Sequence, residues 1–452
     1  MTATLPGRAA IDAARWPDIA TVPGRPVRAQ LARLLTRHAV ARLPIRITTP
    51  SGRSLGAGDA NAPTLRLIRP GDFYQRLGAG GLIGFGESFM AGDWESTDLA
   101  GLLTILAGRI ATMVPPSLQR LRNLAVHSRP HQQDNTVAGA RANIQHHYDL
   151  SNELFAQFLD PSLSYSSALF DPALFDSALF DTASFDPASF DGEPRAAGEQ
   201  SLLSAQSLLS AQSLLSAQHR KIDRILDIAG VSAGTRLLEI GTGWGELSLR
   251  AAGRGARVTT LTISQEQARL ARQRIAAAGF SDLVQVRLQD YREVTGEFDA
   301  VVSVEMIEAV GANHWTDYFT SIARLLRPGG RVGLQAITMP HDRMLATLNT
   351  YTWIVKYIFP GGHLPSVRAI GEHSAAAGLV VESDFGMGAH YAETLRRWRA
   401  EFEQHAEAVD RLGFDEVFRR MWSLYLAYSE AGFRSGYLDV RQFQLAKPAS
   451  TR

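Results

Sequence analysis

A glycine-rich turn near the middle of the chain has the composition of a ligand-binding loop. It follows an apolar run and precedes a helix-forming stretch, between residues 236 and 252. Glycines at such a turn let the backbone bend tightly and approach a ligand, with helix amides pointing at it. The residues that define the pattern are Glu239, Gly241, Gly243 and Gly245. The spacing E-x-G-x-G-x-G is typical of S-adenosylmethionine sites, whereas dinucleotide sites favour G-x-G-x-x-G.

The tips of the next two predicted strands help to distinguish these ligands. A dinucleotide site needs an acid about 20 residues on, at the end of the second strand, to hold the ribose. That strand, Arg257–Thr262, has no acid at its tip. The third strand, Val284–Leu288, is followed by Asp290 and Tyr291. A carboxylate for an exocyclic amine and a ring on which a base can stack suit adenine, although an ordinary surface aspartate at a strand end is the alternative interpretation.

The elements that position these residues alternate between strand and helix, as in a parallel sheet of an α/β domain. We predict the turn Leu326–Gly330 before the last of the strands. The predicted strands are Arg236–Ile240, Arg257–Thr262, Val284–Leu288, Ala300–Val304 and Arg331–Ala336. Beyond residue 345 the pattern is mostly helical, with buried aromatic residues expected.

The bulk properties indicate a globular protein of about two or three domains. The chain has 452 residues, a net charge of +1 and no cysteine. The small net charge argues against nucleic acid as a partner, and the absence of cysteine excludes disulfides and thiolate chemistry. No run of 18 apolar residues predicts a spanning helix, and residues 1–25 lack the apolar core of a signal peptide. These features favour a cytoplasmic protein.

Composition and pattern divide the chain into four predicted regions. Residues 1–130 form a small unit with a helix at Pro26–Ala41 and strands at Leu43–Thr48 and Thr64–Arg69. Residues 131–166 form a helical active-site segment, with helix expected over 136–160. Residues 167–218 form a repeat insertion or linker, and residues 219–452 form the catalytic α/β domain.

The insertion consists of short tandem repeats. Five pentads begin at Ser167 and place Phe at 170, 175, 180, 185 and 190, and hexads of the form Ser-Leu-Leu-Ser-Ala-Gln then run to Gln218. A period of five fits neither helix nor strand, and units this short are not solenoid repeats. We therefore predict a poorly ordered loop for the pentads, whereas the hexads are expected to extend the helix that enters His219.

Six motifs in order resemble the cyclopropane-fatty-acyl-phospholipid synthase family. They are Asn143–Asn152, Leu163–Ala168, Glu239–Gly245, Leu261–Gln267, Ser303–Gly311 and Lys356–Ser366. Within that family, the stretches Gln335–His341 and Tyr428–Val440 look like the actinobacterial tuberculostearic acid methyltransferase branch. The resemblance implies an α/β fold. It consists of a Rossmann-like, seven-stranded S-adenosylmethionine-dependent methyltransferase domain and a smaller N-terminal α+β domain.

The resemblance also implies the reaction. A methyl group passes from S-adenosylmethionine to the double bond of an unsaturated acyl chain in a membrane phospholipid, and a carbocation is left on the chain. The site must hold that cation in a dry, electron-rich pocket and then remove a proton. Loss of the proton gives either a cyclopropane ring or a methylene branch, and a separate reductase would then convert a 10-methylene chain to a 10-methyl chain.

By resemblance, the catalytic positions bind a bicarbonate ion. The matching residues are Glu308, Tyr425, Ser167, Gln335 and Ile337. Ser167 stands where the family has Cys, and its backbone N–H remains available. Gln335 stands where the family has His; it cannot carry a proton, although its amide can hydrogen-bond an anion. A weakened anion site favours the branch-forming reaction over ring closure.

The remaining site positions are also carried over from the family. Tyr165, Ser166, Gly241, Gly243, Thr262 and Gln267 match cofactor-contacting positions, and His147 and Tyr148 match the substrate cavity. Gln267 can bond ribose hydroxyls in place of an acid at the tip of the second strand. The His146–His147 pair lacks the third ligand of a metal site, so no metal is predicted. A peripheral location on the inner face of the membrane is expected, and a homodimer is a candidate assembly.

Three alternatives remain open from the sequence. The first is a true cyclopropane synthase with the same substrate and donor. The second is a catalytically silent lipid-binding relative, because the repeats begin at Ser167, inside a site motif, and could displace the active-site loop. The third is a dinucleotide-dependent oxidoreductase, which the strand tips argue against.

Overall fold

The computed structural model describes residues 11–109, 151–171, 175 and 212–449. Its helices in chain order are α1 Pro17–Ala20, α2 Pro26–Val40, α3 Pro70–Gly80, α4 Leu82–Met90, α5 Leu99–Arg109, α6 Asn152–Phe155, α7 Leu214–Ile228, α8 Glu246–Gly253, α9 Gln265–Ala277, α10 Ile307–Val310, α11 Trp315–Leu325, α12 His341–Thr347, α13 Trp353–Tyr357, α14 Val367–Ala376, α15 Gly388–Gln404, α16 Ala406–Arg411 and α17 Glu416–Arg434. Its strands are β1 Arg46–Thr48, β2 Ser54–Leu55, β3 Thr64–Leu67, β4 Trp94–Ser96, β5 Arg236–Ile240, β6 Arg257–Thr262, β7 Val284–Leu288, β8 Phe298–Val304, β9 Leu326–Thr338, β10 Val380–Gly386 and β11 Asp439–Ala446. Across these residues no helix has the length and apolarity needed to cross a membrane.

The chain forms two compact units, and their limits differ from the predicted ones. The first unit contains Met1–Arg129 and two later segments, Asn349–Pro360 and Leu395–Tyr437; the second contains the rest. The predicted domain 219–452 is therefore not continuous. Helix α17 packs its apolar face against α4 and α5 of the first unit. Sequence periodicity shows that such a face must be buried, but it does not identify the elements that cover it.

The first unit combines helices with a four-stranded sheet of order β2-β1-β3-β4. Strands β1 and β3 are parallel, and the other two pairs are antiparallel. The buried carboxylate of Asp93 accepts hydrogen bonds from Arg76 Nε at 3.0 Å and Arg69 Nε at 2.9 Å. Since a buried carboxylate is tolerated only when paired and hydrogen-bonded, these arginines tie α3 to the chain entering β4.

In the second unit, seven strands form one sheet of order β10-β11-β9-β8-β5-β6-β7. Strand β11 is antiparallel to both of its neighbours, and the five strands from β5 to β9 are parallel to one another. Leu237 and Leu238, adjacent on β5, belong to two different apolar clusters. Both faces of the sheet are therefore covered, as expected for parallel strands joined by helices.

The five predicted strands are all present. Strands β5, β6 and β7 have the predicted bounds, and β8 begins two residues earlier, at Phe298. Leu326–Gly330, predicted as a turn, belongs to β9, but the strand is irregular there: Leu326 pairs with Phe298, and the next pair joins Arg331 to Ala300, so the residues between Leu326 and Arg331 bulge out of the pairing with β8. The strand order reverses at β5, which lies between β6 and β8. Ligands of open α/β sheets bind at such a reversal, outside the carboxyl ends of the strands.

The described part of the segment before the repeats, residues 151–160, is less helical than predicted. Of the range 136–160, residues 151–160 are described, and their helix is the four-residue α6, whose N-cap is Ser151. The start of the pentads is packed: Phe170 and Phe175 are buried, and the Phe175 ring stacks on His390 with centroids 4.0 Å apart. The prediction of poor order was therefore wrong for these positions, and most of the insertion lies outside the described residues. The last hexad extends α7, which confirms that prediction.

Candidate active site

The glycine turn lies between β5 and α8 and has a backbone that only glycine accepts easily. Gly241, Gly243 and Gly245 have φ values of 97°, 51° and 93°, in the region where a side chain is strained. A Cβ on Gly241 would also lie 2.7 Å from Cγ and Sδ of Met306. Glycine at position 241 is therefore favoured for two reasons, the dihedral angle and the close approach of the Met306 side chain.

One arginine holds the glycine turn against the segment at residues 162–166. Arg274 donates from Nη1 to the carbonyl oxygens of Ser162, at 3.0 Å, and Trp244, at 2.8 Å. Its Nη2 donates to Glu246 Oε2 at 2.7 Å. The indole N–H of Trp244 in turn donates to Asn152 Oδ1 at 2.7 Å. Two segments that are far apart in the chain thus form facing walls of one pocket.

Nearly all of the predicted cofactor-binding residues line this pocket. They are Tyr165, Ser166, Glu239, Gly241, Gly243, Thr262, Gln267, Asp290 and Tyr291. Gly245 does not line the pocket but caps α8 in a left-handed conformation. Because residues 162–166 form part of the lining, the repeats begin after the active-site loop. This position argues against the alternative in which the insertion displaces that loop.

The polar groups of the pocket are held in place by their neighbours. The Thr262 hydroxyl donates to Gln267 Oε1 at 2.9 Å. Asp290 accepts from Arg292 through both oxygens, Oδ1 from Nε at 2.9 Å and Oδ2 from Nη2 at 2.7 Å. Glu239 accepts from the Ser248 hydroxyl, and burial raises the pKa of Glu239 to about 7. The pocket therefore presents amide, carboxylate and aromatic groups in fixed positions, which fits an adenosine-containing ligand.

Two acids, Glu305 and Glu308, follow the end of β8. Glu305 lies in the pocket wall, whereas Glu308 does not line the pocket. Sequence reasoning assigned a role to Glu308 and none to Glu305, although both stand in the motif Ser303–Gly311. Glu305 has a φ of 50°, which is uncommon for a residue with a side chain and occurs mostly at functional sites. The available sequence signal was an acid directly after an apolar strand.

The Glu305 carboxylate receives three hydrogen bonds. Its Oε1 accepts from the backbone N–H of Ser167 at 2.9 Å and from Gln335 Nε2 at 2.8 Å, and its Oε2 accepts from the Tyr391 hydroxyl at 2.8 Å. Burial raises the pKa of Glu305, and these three donors and nearby Lys221 oppose that increase. The structure thus brings two predicted catalytic positions, Ser167 and Gln335, onto a carboxylate of the chain itself.

Glu308 lies one helical turn further on, and its two oxygens have different surroundings. Oε1 accepts from the backbone N–H of Ile337, whereas Oε2 is shut off from solvent and, among the described residues, has no hydrogen-bond partner. Burial and the neighbouring Glu305 raise the pKa of Glu308 to about 8. Glu308 is therefore expected to keep its proton at neutral pH.

Lys221 is a further pocket residue that sequence reasoning missed. It lies on α7, is 2% exposed and lines the pocket. Its Nζ donates to the Ser166 hydroxyl at 2.6 Å. Burial lowers the pKa of Lys221 to about 8, although Glu305, Asp160 and other acids act in the opposite direction. Lysine in a helix is usually a surface residue, so the sequence carried no signal for this position.

Three further predicted positions lie outside the described wall of the pocket. Tyr425 belongs to the first unit, where its ring contacts Phe359 and Trp422 at centroid distances of 5.8 and 5.1 Å. His147 and Tyr148 lie outside the described residues. The roles of these three residues stay predictions.

The chain is similar to enzymes that modify lipids. The family model described as mycolic acid cyclopropane synthetase matches residues 136–443. The chain is 50% identical over 446 residues to the tuberculostearic acid methyltransferase of Mycobacterium tuberculosis, with 97% of each chain covered. It is 31% identical over 399 residues to the cyclopropane-fatty-acyl-phospholipid synthase of Escherichia coli, covering 85% of this chain and 88% of that protein.

Solved structures show the same fold. The cyclopropane synthase MmaA2 of Mycobacterium tuberculosis matches with a TM-score of 0.55 and 28% identity, and the match covers 71% of this chain and 99% of that one. The mycolic acid cyclopropane synthase CmaA1, crystallised with S-adenosylhomocysteine and CTAB, matches with a TM-score of 0.56 and 29% identity over the same shares.

A first prediction concerns the glycine turn. We expect Gly241→Ala to weaken the binding of S-adenosylhomocysteine by about 100-fold or more, since backbone strain and overpacking each cost about 1–3 kcal/mol. Isothermal titration calorimetry measures the change. Gly253→Ala is the matched control, because a Cβ there meets nothing within 4 Å. Equal affinity of the Gly241 variant and the wild type would contradict this account of the turn.

A second prediction follows from the pKa of Glu308. The folded protein keeps this proton up to about pH 8, whereas the unfolded chain loses it near the ordinary glutamate pKa of 4.5. Unfolding therefore releases a proton in this interval, and Glu308 destabilises the fold increasingly as pH rises. Gln cannot ionise and still accepts from Ile337.

We therefore expect Glu308→Gln to raise the melting temperature more at pH 7.5 than at pH 5. Calorimetric scans at both values make the comparison. Glu297→Gln, at an exposed carboxylate before the other end of β8, is the control and should show no such pH-dependent gain. A gain that is largest at pH 5 would refute the argument.

Proposed function

Because the chain belongs to the mycolic acid cyclopropane synthetase family and is an S-adenosylmethionine-dependent methyltransferase with a Rossmann-like domain, we propose its substrate and product. The substrate is an unsaturated, oleoyl-type acyl chain of a membrane phospholipid. The product carries a 10-methylene branch at the former double bond. A separate reductase would then produce the 10-methyl chain.

The pocket fits S-adenosylmethionine. Gly241 lets a ligand approach the backbone closely, and Gln267 offers an amide to ribose hydroxyls. Asp290 offers a carboxylate to the adenine amine, and Tyr291 offers a ring on which adenine can stack. When bound, this cofactor supplies an electrophilic methyl group whose bond to sulfur breaks as the two π electrons of the alkene form the new carbon–carbon bond. The residues around the pocket must then stabilise the positive charge left on the acyl chain and accept a proton from it.

The observation that carries this proposal is the pair of enclosed acids at the end of β8, with Glu305 in the pocket wall. Methylation of an amine or hydroxyl produces a cation that a proton can leave directly to water. Methylation of an alkene instead produces a carbocation, which needs a negative charge nearby, the exclusion of water and a fixed proton acceptor. An enclosed carboxylate beside the cofactor pocket meets these needs.

The position of the positive charge when the proton leaves decides the product. With the charge on the carbon next to the methylated one, loss of a methyl proton closes a cyclopropane ring. After a 1,2-hydride shift onto that carbon, the charge lies on the methyl-bearing carbon, and loss of a methyl proton gives the exocyclic methylene. The 50% identity to a tuberculostearic acid methyltransferase over 97% of both chains supports the branch, whereas the 31% identity to a cyclopropane synthase supports the ring as the second candidate.

The third prediction tests this function by product analysis. Purified enzyme is incubated with dioleoyl-phospholipid vesicles and methyl-labelled S-adenosylmethionine, and the acyl chains are examined by mass spectrometry and proton NMR. We expect one added carbon and the signals of an exocyclic methylene. High-field ring protons would identify a cyclopropane synthase instead.

The control for this assay is Gly241→Ala, which should lose label transfer together with cofactor binding. Absence of label in the lipid with the wild-type enzyme, despite cofactor binding, would contradict the proposal and favour a silent lipid-binding relative.

A further inference from the structure

The donors that the family resemblance assigns to a bound bicarbonate already have partners in the chain. Ser167 N–H and Gln335 Nε2 donate to Glu305 Oε1, and Ile337 N–H donates to Glu308 Oε1. A second anion at this place would compete for the same hydrogen atoms and would be repelled by an ionised Glu305. The described residues therefore do not fit a separate bicarbonate ion.

The orientation of the Gln335 amide is determined by a chain of hydrogen bonds. Arg224 Nη1 donates to Gln442 Oε1 at 2.6 Å, and Gln442 Nε2 donates to Gln335 Oε1 at 3.0 Å. With its oxygen engaged in this way, Gln335 must point its NH₂ group at Glu305. Gln335 is thus a positioning residue that supplies a permanent donor to a carboxylate, a role in which a titratable histidine would be less constant.

The charge of Glu305 has local compensation. The nearby positive charge of Lys221 favours the ionised form of Glu305. The Tyr391 hydroxyl donates a hydrogen bond to Glu305 Oε2 at 2.8 Å. Glu308 next to it has a pKa of about 8 and is expected to remain protonated at neutral pH, whereas three donors and a nearby cation favour the ionised form of Glu305. Neighbouring acids whose surroundings separate their protonation states are a common arrangement in acid–base catalysis.

From these contacts we propose that the Glu305 carboxylate takes the place of bicarbonate and is the proton acceptor of the reaction. This inference rests on the proposed function. After methyl transfer and hydride shift, a C–H bond of the new methyl group breaks, and its electron pair forms the exocyclic double bond. The proton passes to a Glu305 oxygen, which becomes a carboxylic acid and later returns the proton to solvent.

The fourth prediction compares three proteins: wild type, Glu305→Gln and Glu305→Gly. Gln keeps the shape but is a far weaker base, so we expect methylene formation to fall by about 100-fold or more. Gly accepts the positive φ at this position and leaves the donors of Ser167, Gln335 and Tyr391 around a carboxylate-sized space. The wild-type rate should be the same in bicarbonate-depleted and bicarbonate-containing buffer, whereas added bicarbonate should partly restore Glu305→Gly.

A binding measurement without turnover accompanies the assay. In ¹³C NMR with labelled bicarbonate, we expect line broadening from binding with Glu305→Gly and none with the wild type. Glu297→Gln, the exposed acid before the other end of the same strand, should behave as the wild type in both experiments. Thermal unfolding of all variants identifies any that fail to fold.

The outcomes separate the two proposals. A wild type that binds bicarbonate in the NMR experiment, or that loses activity when bicarbonate is removed, overturns the role of Glu305. A Glu305→Gln enzyme with the wild-type rate also overturns it. A wild type that methylates no lipid refutes the proposed function. The NMR experiment still decides whether Glu305 occupies the position that the resemblance assigns to bicarbonate.

A second, independent observation concerns helix α2 in the first unit. Val27, Leu31, Leu34 and Leu35 are exposed, with 55% of Leu31 and 62% of Leu34 accessible. At 3.6 residues per turn these four side chains fall within about 100° of arc. The opposite face carries Ala29, Ala32 and Ala39, which are half-buried. The large apolar side chains therefore point away from the protein.

Close packing explains why α2 has this orientation. A Cβ on Gly78 of α3 would lie 2.6 Å from the backbone C and O of Arg28. The two helices approach so closely at this point that small side chains are required between them. Leucines could not occupy that contact, so the small face of α2 meets α3, and the leucine face is exposed among the residues that the structure describes.

The charged residues of α2 and its neighbours in the sequence have one sign. Seven arginines and no acid lie between Ile19 and Gly58, and Arg28, Arg33 and Arg37 on α2 are exposed. None of these three forms an ion pair within the part of the chain that the structure describes. An apolar helix face flanked by arginines is the arrangement of helices that lie in a membrane interface, where each arginine adds about 1 kcal/mol with anionic lipids.

We infer that α2 docks the protein on an anionic lipid surface through this leucine face. The fifth prediction is tested by co-sedimentation with vesicles of phosphatidylcholine and phosphatidylglycerol, without S-adenosylmethionine. The double variant Leu31→Ser, Leu34→Ser should bind about tenfold or more weakly, because each leucine loses part of its burial energy. Binding should also weaken with salt and with pure phosphatidylcholine.

The control is Leu345→Ser, Leu412→Ser, at leucines that are 52% and 38% exposed elsewhere, and it should bind as the wild type. A wild type that does not sediment with anionic vesicles overturns the inference, as does equal binding by the α2 variant. Either result would leave the interior chemistry of the second unit unaffected.

Discussion

A carboxylate placed away from bulk water at the end of β8 governs how the active-site part of the second unit is assembled. Burial of an ionised acid is unfavourable unless donors surround it, and Glu305 draws its three donors from three distant segments. Ser167 belongs to the loop before the repeats, Gln335 to β9 and Tyr391 to α15. The hydrogen bond from Ser167 to Glu305 thus holds the loop at residues 162–166, which forms one wall of the pocket.

The same arrangement explains why two acids can stand three residues apart. Glu305 is supplied with donors and a nearby cation, whereas Glu308 has one backbone donor and an oxygen without a partner among the described residues. The donors and the cation around Glu305 therefore oppose the effect of burial on its pKa, whereas Glu308 has one backbone donor to oppose it.

How far the sequence predicted the site depended on the range of the interactions. Gly241, Asp290 and Tyr291 were recognised because each follows a parallel strand, and parallel strands end at a common edge. Thr262 and Gln267 were assigned from the family resemblance. Glu305, Lys221 and Tyr391 were missed because their roles arise from contacts between segments that are far apart in the chain. The assignment of Ser167 and Gln335 to an anion came from resemblance; which anion they contact is visible in the fold.

The sequence by itself determined the class of fold, the glycine turn and the bounds of three parallel strands, because these depend on apolar runs and on dihedral angles that single residues impose. Only the tertiary structure decided that segments 349–360 and 395–437 belong to the first unit, and that the leucine face of α2 is exposed. It also decided that Glu305 meets the donors of Ser167, Gln335 and Tyr391. Side-chain burial and charge pairing depend on which distant surfaces meet, and local patterns do not contain that information.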